Sequence, residues 1–117
     1  MSSDELVVAV EPSADGVVLI SVRGSLDGWS DGDRLVDALT KAAEDRGRRT
    51  VVDLSGLTFA DSTALHALLH GQRSHAAAGI PLVLAGPMNV KVLRLFEVTG
   101  TQDAFQFASS VEQARTC

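Results

Sequence analysis

The chain reads as an α/β fold in the order ββαβαβαβα, with a mixed sheet partly covered by helices. Three observations carry this reading. Short β-branched apolar runs alternate with stretches of helical apolar spacing. Turn residues from Pro12 to Gly16 separate the first two runs by a hairpin-length gap. Between later runs lie helix-length segments, as parallel neighbours require of their crossovers.

In order, LVVAV (6–10) and VVLISVRG (17–24) form the hairpin. SLDGWSDGD (25–33) reads as a loop, with Ser30 or Asp31 as N-cap of the first helix. Leu35, Val36, Leu39, Ala42 and Ala43 share one face of that helix, which ends near Gly47. RTVVDLSG (49–56) is a short buried strand, and a helix opened by Asp61 runs to about Gly79. IPLVLAG (80–86) is the next strand. Pro87 suits the first turn of a third helix, with Val90, Leu93 and Leu95 or Phe96 as its core side before Gly100. AFQFA (104–108) alternates as a last strand, and Ser109 or Ser110 caps a final short helix.

A length of 117 residues suits a single domain spanning 1–117, with one core. The net charge of -5 argues against a nucleic-acid binder, which needs clustered Lys and Arg to meet phosphates. Cys117, the only cysteine, cannot make an internal disulfide and is expected to be exposed at the chain end, which fits a reducing compartment. No apolar run reaches membrane-span length, and the opening MSSDE is too polar for a signal peptide. A cytoplasmic protein with no membrane insertion is the expectation.

The segment FADSTALHALL (59–69) places a carboxylate and two hydroxyls at the mouth of a helix. On a wheel of about 100° per residue, Leu65, Leu68, Leu69, Gln72 and Ala76 cluster on the side that should face the sheet. Thr63, His66, Ala67, His70 and Ser74 fall on the side expected to face solvent, and Ser62 sits at the shoulder. Asp61 and Ser62 are both good N-caps, stabilising a helix by roughly 0.5–2 kcal/mol over Ala. Two chemical readings stand beside capping: a nucleophile and a modification site.

The nucleophile would pair Ser62 with His66 and use Asp61 as orienter. Against it, there is no G-x-S-x-G elbow, and Asp61 adjoins Ser62, badly placed to hold the far nitrogen of His66. No second set of oxyanion donors is evident either. His66 and His70 have the i, i+4 spacing of zinc-binding helices, but Ala67 stands where a Glu would follow His66. With no Cys or carboxylate to complete a tetrahedral set, His66, His70 and His75 read as surface histidines. GPMNVK (86–91) lacks the GK[ST] ending of a phosphate cradle. No metal or cofactor is expected.

The run VVDLSGLTFADSTALHALL (51–69) resembles the signature of STAS domains, specifically of bacterial anti-sigma factor antagonists: a strand ending in D-L-S, a turn, then D-S-[ST]-G-L opening a helix. GSLD (24–27), LFEVTG (95–100), DAF (103–105) and SVEQA (110–114) resemble further family segments in the same order. The resemblance covers almost the whole chain. It implies the STAS fold, a mixed sheet of about five strands with helices packed mainly on one side. It also implies a non-catalytic switch. In that family the Ser after the Asp is phosphorylated by an anti-sigma factor that is also a serine protein kinase, which points here to Ser62, with Thr63 as second acceptor. The unphosphorylated form binds the anti-sigma factor and frees the sigma factor, and a serine/threonine phosphatase reverses the modification. The partner-binding surface implied comprises Asp27, Trp29, Asp61, Ser62, Thr63 and His66. The alternative role is a non-switching STAS subunit packed against a lipid or solute transporter. Three positions depart from the family pattern: Ala64 replaces Gly, His66 a small residue, and Ser25 a Glu.

Overall fold

A computed structural model of the chain describes residues 5–116. Cys117 and the first four residues of MSSDE therefore lie outside the described residues. Element order is β1 (Val7–Pro12), β2 (Val17–Leu26), α1 (Gly28–Glu44), β3 (Arg49–Ala60), α2 (Ser62–Ala78), β4 (Leu82–Ala85), α3 (Val90–Thr99), β5 (Gln106–Ala108) and α4 (Val111–Thr116). The five strands lie side by side in chain order. β1 runs antiparallel to β2, as a hairpin must, and every later pair is parallel. This is the expected ββαβαβαβα architecture with a mixed sheet.

Register sorts the strand side chains onto two faces. Ile20, Val52 and Leu84 align across β2, β3 and β4 and point into the larger core. There they meet Leu35 and Leu39 of α1, Ala64 and Leu68 of α2, and Val92 and Phe96 of α3. Val51 and Val83 point the other way, where with Val17 of β2 they pack against Ala114 of α4. Helices thus pack mainly on one side. Among the described residues no helix is long and apolar enough to cross a membrane.

Several boundaries differ from the sequence reading. The segment 25–33 is not a loop: Ser25 and Leu26 continue β2 by pairing with Phe59 and Ala60 of a β3 that runs to 60 rather than 56. The chain then turns at Gly28 (φ +83°), a left-handed conformation that glycine adopts without a Cβ clash, and α1 starts at once. Its N-cap is Asp27, so Ser30 and Asp31 lie inside the helix. Pro87 precedes α3 instead of opening it, because Asn89 supplies the cap by accepting the Lys91 N–H at 2.9 Å. The core face of α3 is Val92 and Phe96 with half-buried Leu95, whereas Val90 and Leu93 are exposed. A 3₁₀ turn, Gln102–Ala104, occupies the first residue expected of β5. Of the two serines expected to cap α4, Ser110 does so by accepting the Gln113 N–H at 3.1 Å, and Gly79 ends α2 as expected.

The exposure of α2 also needs correction. Thr63 and Ala67 are buried and Ala76 is exposed, the reverse of the wheel assignment. The cause is a second partner: α2 packs on α1 as well as on the sheet, so its buried arc is wider than one stripe. His75 is fully buried, not on the surface; its ring nitrogens lie 2.8 Å from the Gly71 carbonyl and 2.9 Å from Thr50 Oγ1. Burial pushes its pKa below the usual imidazole value, and the Gly71 carbonyl opposes this only in part.

Candidate functional site

The long β2–β3 pairing carries the ends of both strands past the rest of the sheet, so α1 and α2 begin side by side. Asp61 joins the two beginnings. One carboxylate oxygen accepts the Thr63 N–H at 2.9 Å and the Thr63 hydroxyl, which caps α2. The other accepts the Gly28 N–H of α1 at 3.1 Å, and the Asp61 N–H donates to the Leu26 carbonyl at 3.2 Å. Partial burial pushes the Asp61 pKa up. Hydrogen bonds from the Thr63 hydroxyl and the Gly28, Thr63 and Ala64 amides outweigh this and hold it below the ordinary carboxylate value.

With both Asp61 oxygens so engaged, the carboxylate is not aimed at His66 as a triad orienter would be. Thr63 is only 7% exposed and its hydroxyl is taken by Asp61. Ser62 is the first residue of α2 and is exposed to solvent. Of the two adjacent hydroxyls, one is therefore structural and the other free to meet an incoming molecule.

Asp27, also exposed, extends into the N-cap of α1 without a side-chain capping bond, while its N–H donates to Asp31 Oδ2 at 3.3 Å. Trp29 lies in the first turn of α1 and is 69% exposed. Its ring meets that of His66 edge-on, with centroids 5.9 Å apart and planes at 68°. Below this pair runs a groove of about 440 Å³ between the helices, walled by Trp29 and Asp33 on α1 and by His66, His70 and Arg73 on α2. Its floor is close-packed, since a Cβ on Gly32 would stand 3.4 Å from Thr63 Cβ. Among the described residues no three His, Cys, Asp or Glu side chains gather where they could hold a metal ion.

Asp27, Trp29, Asp61, Ser62, Thr63 and His66 thus come together at one end of the α1–α2 pair, Thr63 beneath the surface, Asp61 half-buried and the others exposed. Sequence reasoning missed the Asp61–Gly28 bond, the wall formed by Asp33 and Arg73, and the seating of Trp29 on His66. The one available signal was small-residue spacing, with Gly28 and Gly32 one turn apart in α1 and Thr63, Ala67 and Gly71 at four-residue intervals in α2.

A family model described as "Mlab, STAS domain" matches residues 10–107. The chain belongs to the STAS domain family. No curated protein matches its sequence. Among solved structures, this STAS domain is similar to an anti-sigma factor antagonist from Mycobacterium paratuberculosis, at 23% identity and a TM-score of 0.84, covering 98% of this chain and 95% of that one. It is similar to the anti-sigma factor antagonist SpoIIAA in its unphosphorylated form, at 19% identity and 0.75, covering 91% of each chain. It also matches the Bacillus cell fate determinant SpoIIAA in the phosphorylated form, at 18% identity and 0.69, covering 91% of this chain and 95% of that one. At these identities the likeness establishes a shared fold.

Proposed function

We propose that this STAS domain is a non-catalytic anti-sigma factor antagonist switched by phosphorylation of Ser62. The observation that carries the reading is the division of labour at the mouth of α2: Asp61 and Thr63 hold the helix, and Ser62 stands exposed beside them. The similar structures of anti-sigma factor antagonists, one of these proteins in both unphosphorylated and phosphorylated forms, support it.

In this reading the unphosphorylated protein docks on an anti-sigma factor that is also a serine kinase, through the surface formed by Asp27, Trp29, Ser62 and His66. Transfer of the γ-phosphoryl group of ATP forms the Oγ–P bond on Ser62, breaks the bond to the β-phosphate, and releases ADP and the hydroxyl proton. The phosphoserine carries about -1.5 to -2 charge. At a helix N-terminus the fold tolerates this charge. A partner packed over Ser62 would have to strip its water, which is costly, so binding is lost while the domain stays folded. A serine/threonine phosphatase restores the hydroxyl. The protein works in the cytoplasm, where its partners are.

The test is incubation with candidate kinase-type anti-sigma factors and ATP, comparing wild type with Ser62→Ala. Phosphate transfer and binding are expected with wild type, and binding without transfer with the variant. Transfer that persists undiminished in Ser62→Ala overturns the site, and absence of binding to every candidate overturns the role.

A second reading is a non-switching subunit packed against a lipid or solute transporter. It draws on the exposed apolar residues Val90, Leu93 and Val98 of α3 and Phe107 of β5. A transporter partner captured through that face, and lost in Val98→Asp but not in Ser62→Glu, would select it.

A further inference from the structure

We propose that the outer face of α3 docks a second copy of this chain, forming a two-fold symmetric dimer in which the two α3 helices lie antiparallel. The inference stands apart from what Ser62 does.

Among the described residues eight large apolar side chains are exposed, and four of them, Val90, Leu93, Val98 and Phe107, belong to α3 and β5. Val90 is 69% exposed and Val98 72%, near the two ends of α3. Burial of Val92 and Phe96 in the core fixes how the helix is rotated, so Val90, Arg94, Glu97 and Val98 point outwards. Phe107 is a fixed part of the same surface. Its ring meets those of Phe96 and Phe105 edge-on, with centroids 5.3 Å and 6.2 Å away. Between Leu93 and Phe107 opens a hollow of about 470 Å³, bounded also by Val90, Phe96, Glu97 and Gln102. Contiguous exposed apolar surface of this kind marks a contact site.

What selects a second copy is the order of residues along the helix. VKVLRLFEV (90–98) is symmetric in apolar character and opposite in charge about Arg94. Turned end over end about that residue, Val90 of one copy falls opposite Val98 of the other, and Lys91 opposite Glu97. An antiparallel contact therefore matches apolar to apolar and positive to negative at both ends at once, as an isologous interface requires. A parallel contact would set Lys91 on Lys91 and Glu97 on Glu97. Lys91, Arg94 and Glu97 are exposed, and none forms an ion pair with another described residue. Across the same axis, Leu93 of each copy faces the hollow beside Phe107 of the other. The face shares no residue with the Ser62 site or with the groove between α1 and α2, so pairing here does not use that site.

The test is sedimentation equilibrium of the full chain, purified alone, from micromolar concentration to about 1 mM. The wild type should pass from monomer to dimer as concentration rises and stop there, because a two-fold contact closes. Val98→Asp should weaken association at least about tenfold by setting a carboxylate against an apolar side chain. Lys91→Glu and Glu97→Lys should each weaken it about tenfold, since each brings like charges together at both ends of the contact. An equimolar mixture of those two variants should recover wild-type association, because every facing pair in the mixed dimer is again of opposite sign. Thermal melting of each variant checks that these surface changes leave the fold intact. A wild-type chain that stays monomeric up to about 1 mM overturns the proposal and leaves the face to a different protein. Growth beyond the dimer overturns it too, as does a mixture that associates no better than either variant alone.

Discussion

Asp61 and Gly28 stand 33 positions apart in sequence, yet the carboxylate of one accepts the N–H of the other at 3.1 Å. A single side chain thus caps its own helix and fastens the start of its neighbour. Ser62 and Trp29, each the next residue along the chain, are positioned by the same bond.

Replacement of Asp61 should show both jobs. Asp61→Ala removes the cap and the tie to Gly28 and should cost about 1–2 kcal/mol in urea unfolding. Asp61→Asn keeps an acceptor and should cost less. Because hydrogen bonds lower the Asp61 pKa in the folded state, its ionised form adds stability above the unfolded carboxylate value of about 3.9. That contribution is lost as pH falls through the folded value, and Asp61→Asn should show a weaker acid dependence there.

His75 should make the protein sensitive at a higher pH. Its folded pKa is lowered by burial, so above about pH 6.5 both folded and unfolded rings are neutral and the residue adds no pH dependence. Below that value the unfolded state takes up a proton that the folded state refuses, and stability declines until the folded value is passed. Urea titrations between about pH 7 and 5 should show this slope, and His75→Gln should lack it. Thr50→Val leaves one buried ring nitrogen unpaired and should cost about 1–3 kcal/mol.

Two glycines at the α1–α2 contact should respond oppositely to alanine. A Cβ on Gly32 meets Thr63 at an ordinary 3.4 Å, so Gly32→Ala should be neutral or stabilising by up to about 1 kcal/mol through helix propensity. A Cβ on Gly71 would stand 2.6 Å from Leu39 Cδ1, and Leu39 is fully buried with nowhere to yield. Gly71→Ala should therefore destabilise by about 1–2 kcal/mol despite the better propensity. Thermal melting of the two variants checks the contrast.

Ser62→Glu should separate folding from binding. A carboxylate in the first turn of α2 suits the helix dipole, so unfolding stability should stay within about 0.5 kcal/mol of wild type. Affinity for the anti-sigma partner proposed above should fall at least about tenfold, because the added charge must be desolvated in the complex. Calorimetric titration of both proteins tests this, and equal affinities would count against the switch.

How much of this could be read in advance depends on the range of the interaction. The order of elements, the Asp61 cap, a serine cap at 109 or 110 and the stop at Gly79 all rest on local signals, and the sequence by itself determined them. The segment 51–69 likewise carried its family likeness locally. The start of α1 escaped because β2 and β3 continue pairing through Leu26 and Ala60, residues far apart in the chain. Periodicity assumed one apolar partner for α2, the sheet. Only the tertiary structure brought in α1 as a second partner, which buried Thr63 and Ala67, set His66 against Trp29, and left Ser62 as the hydroxyl facing solvent.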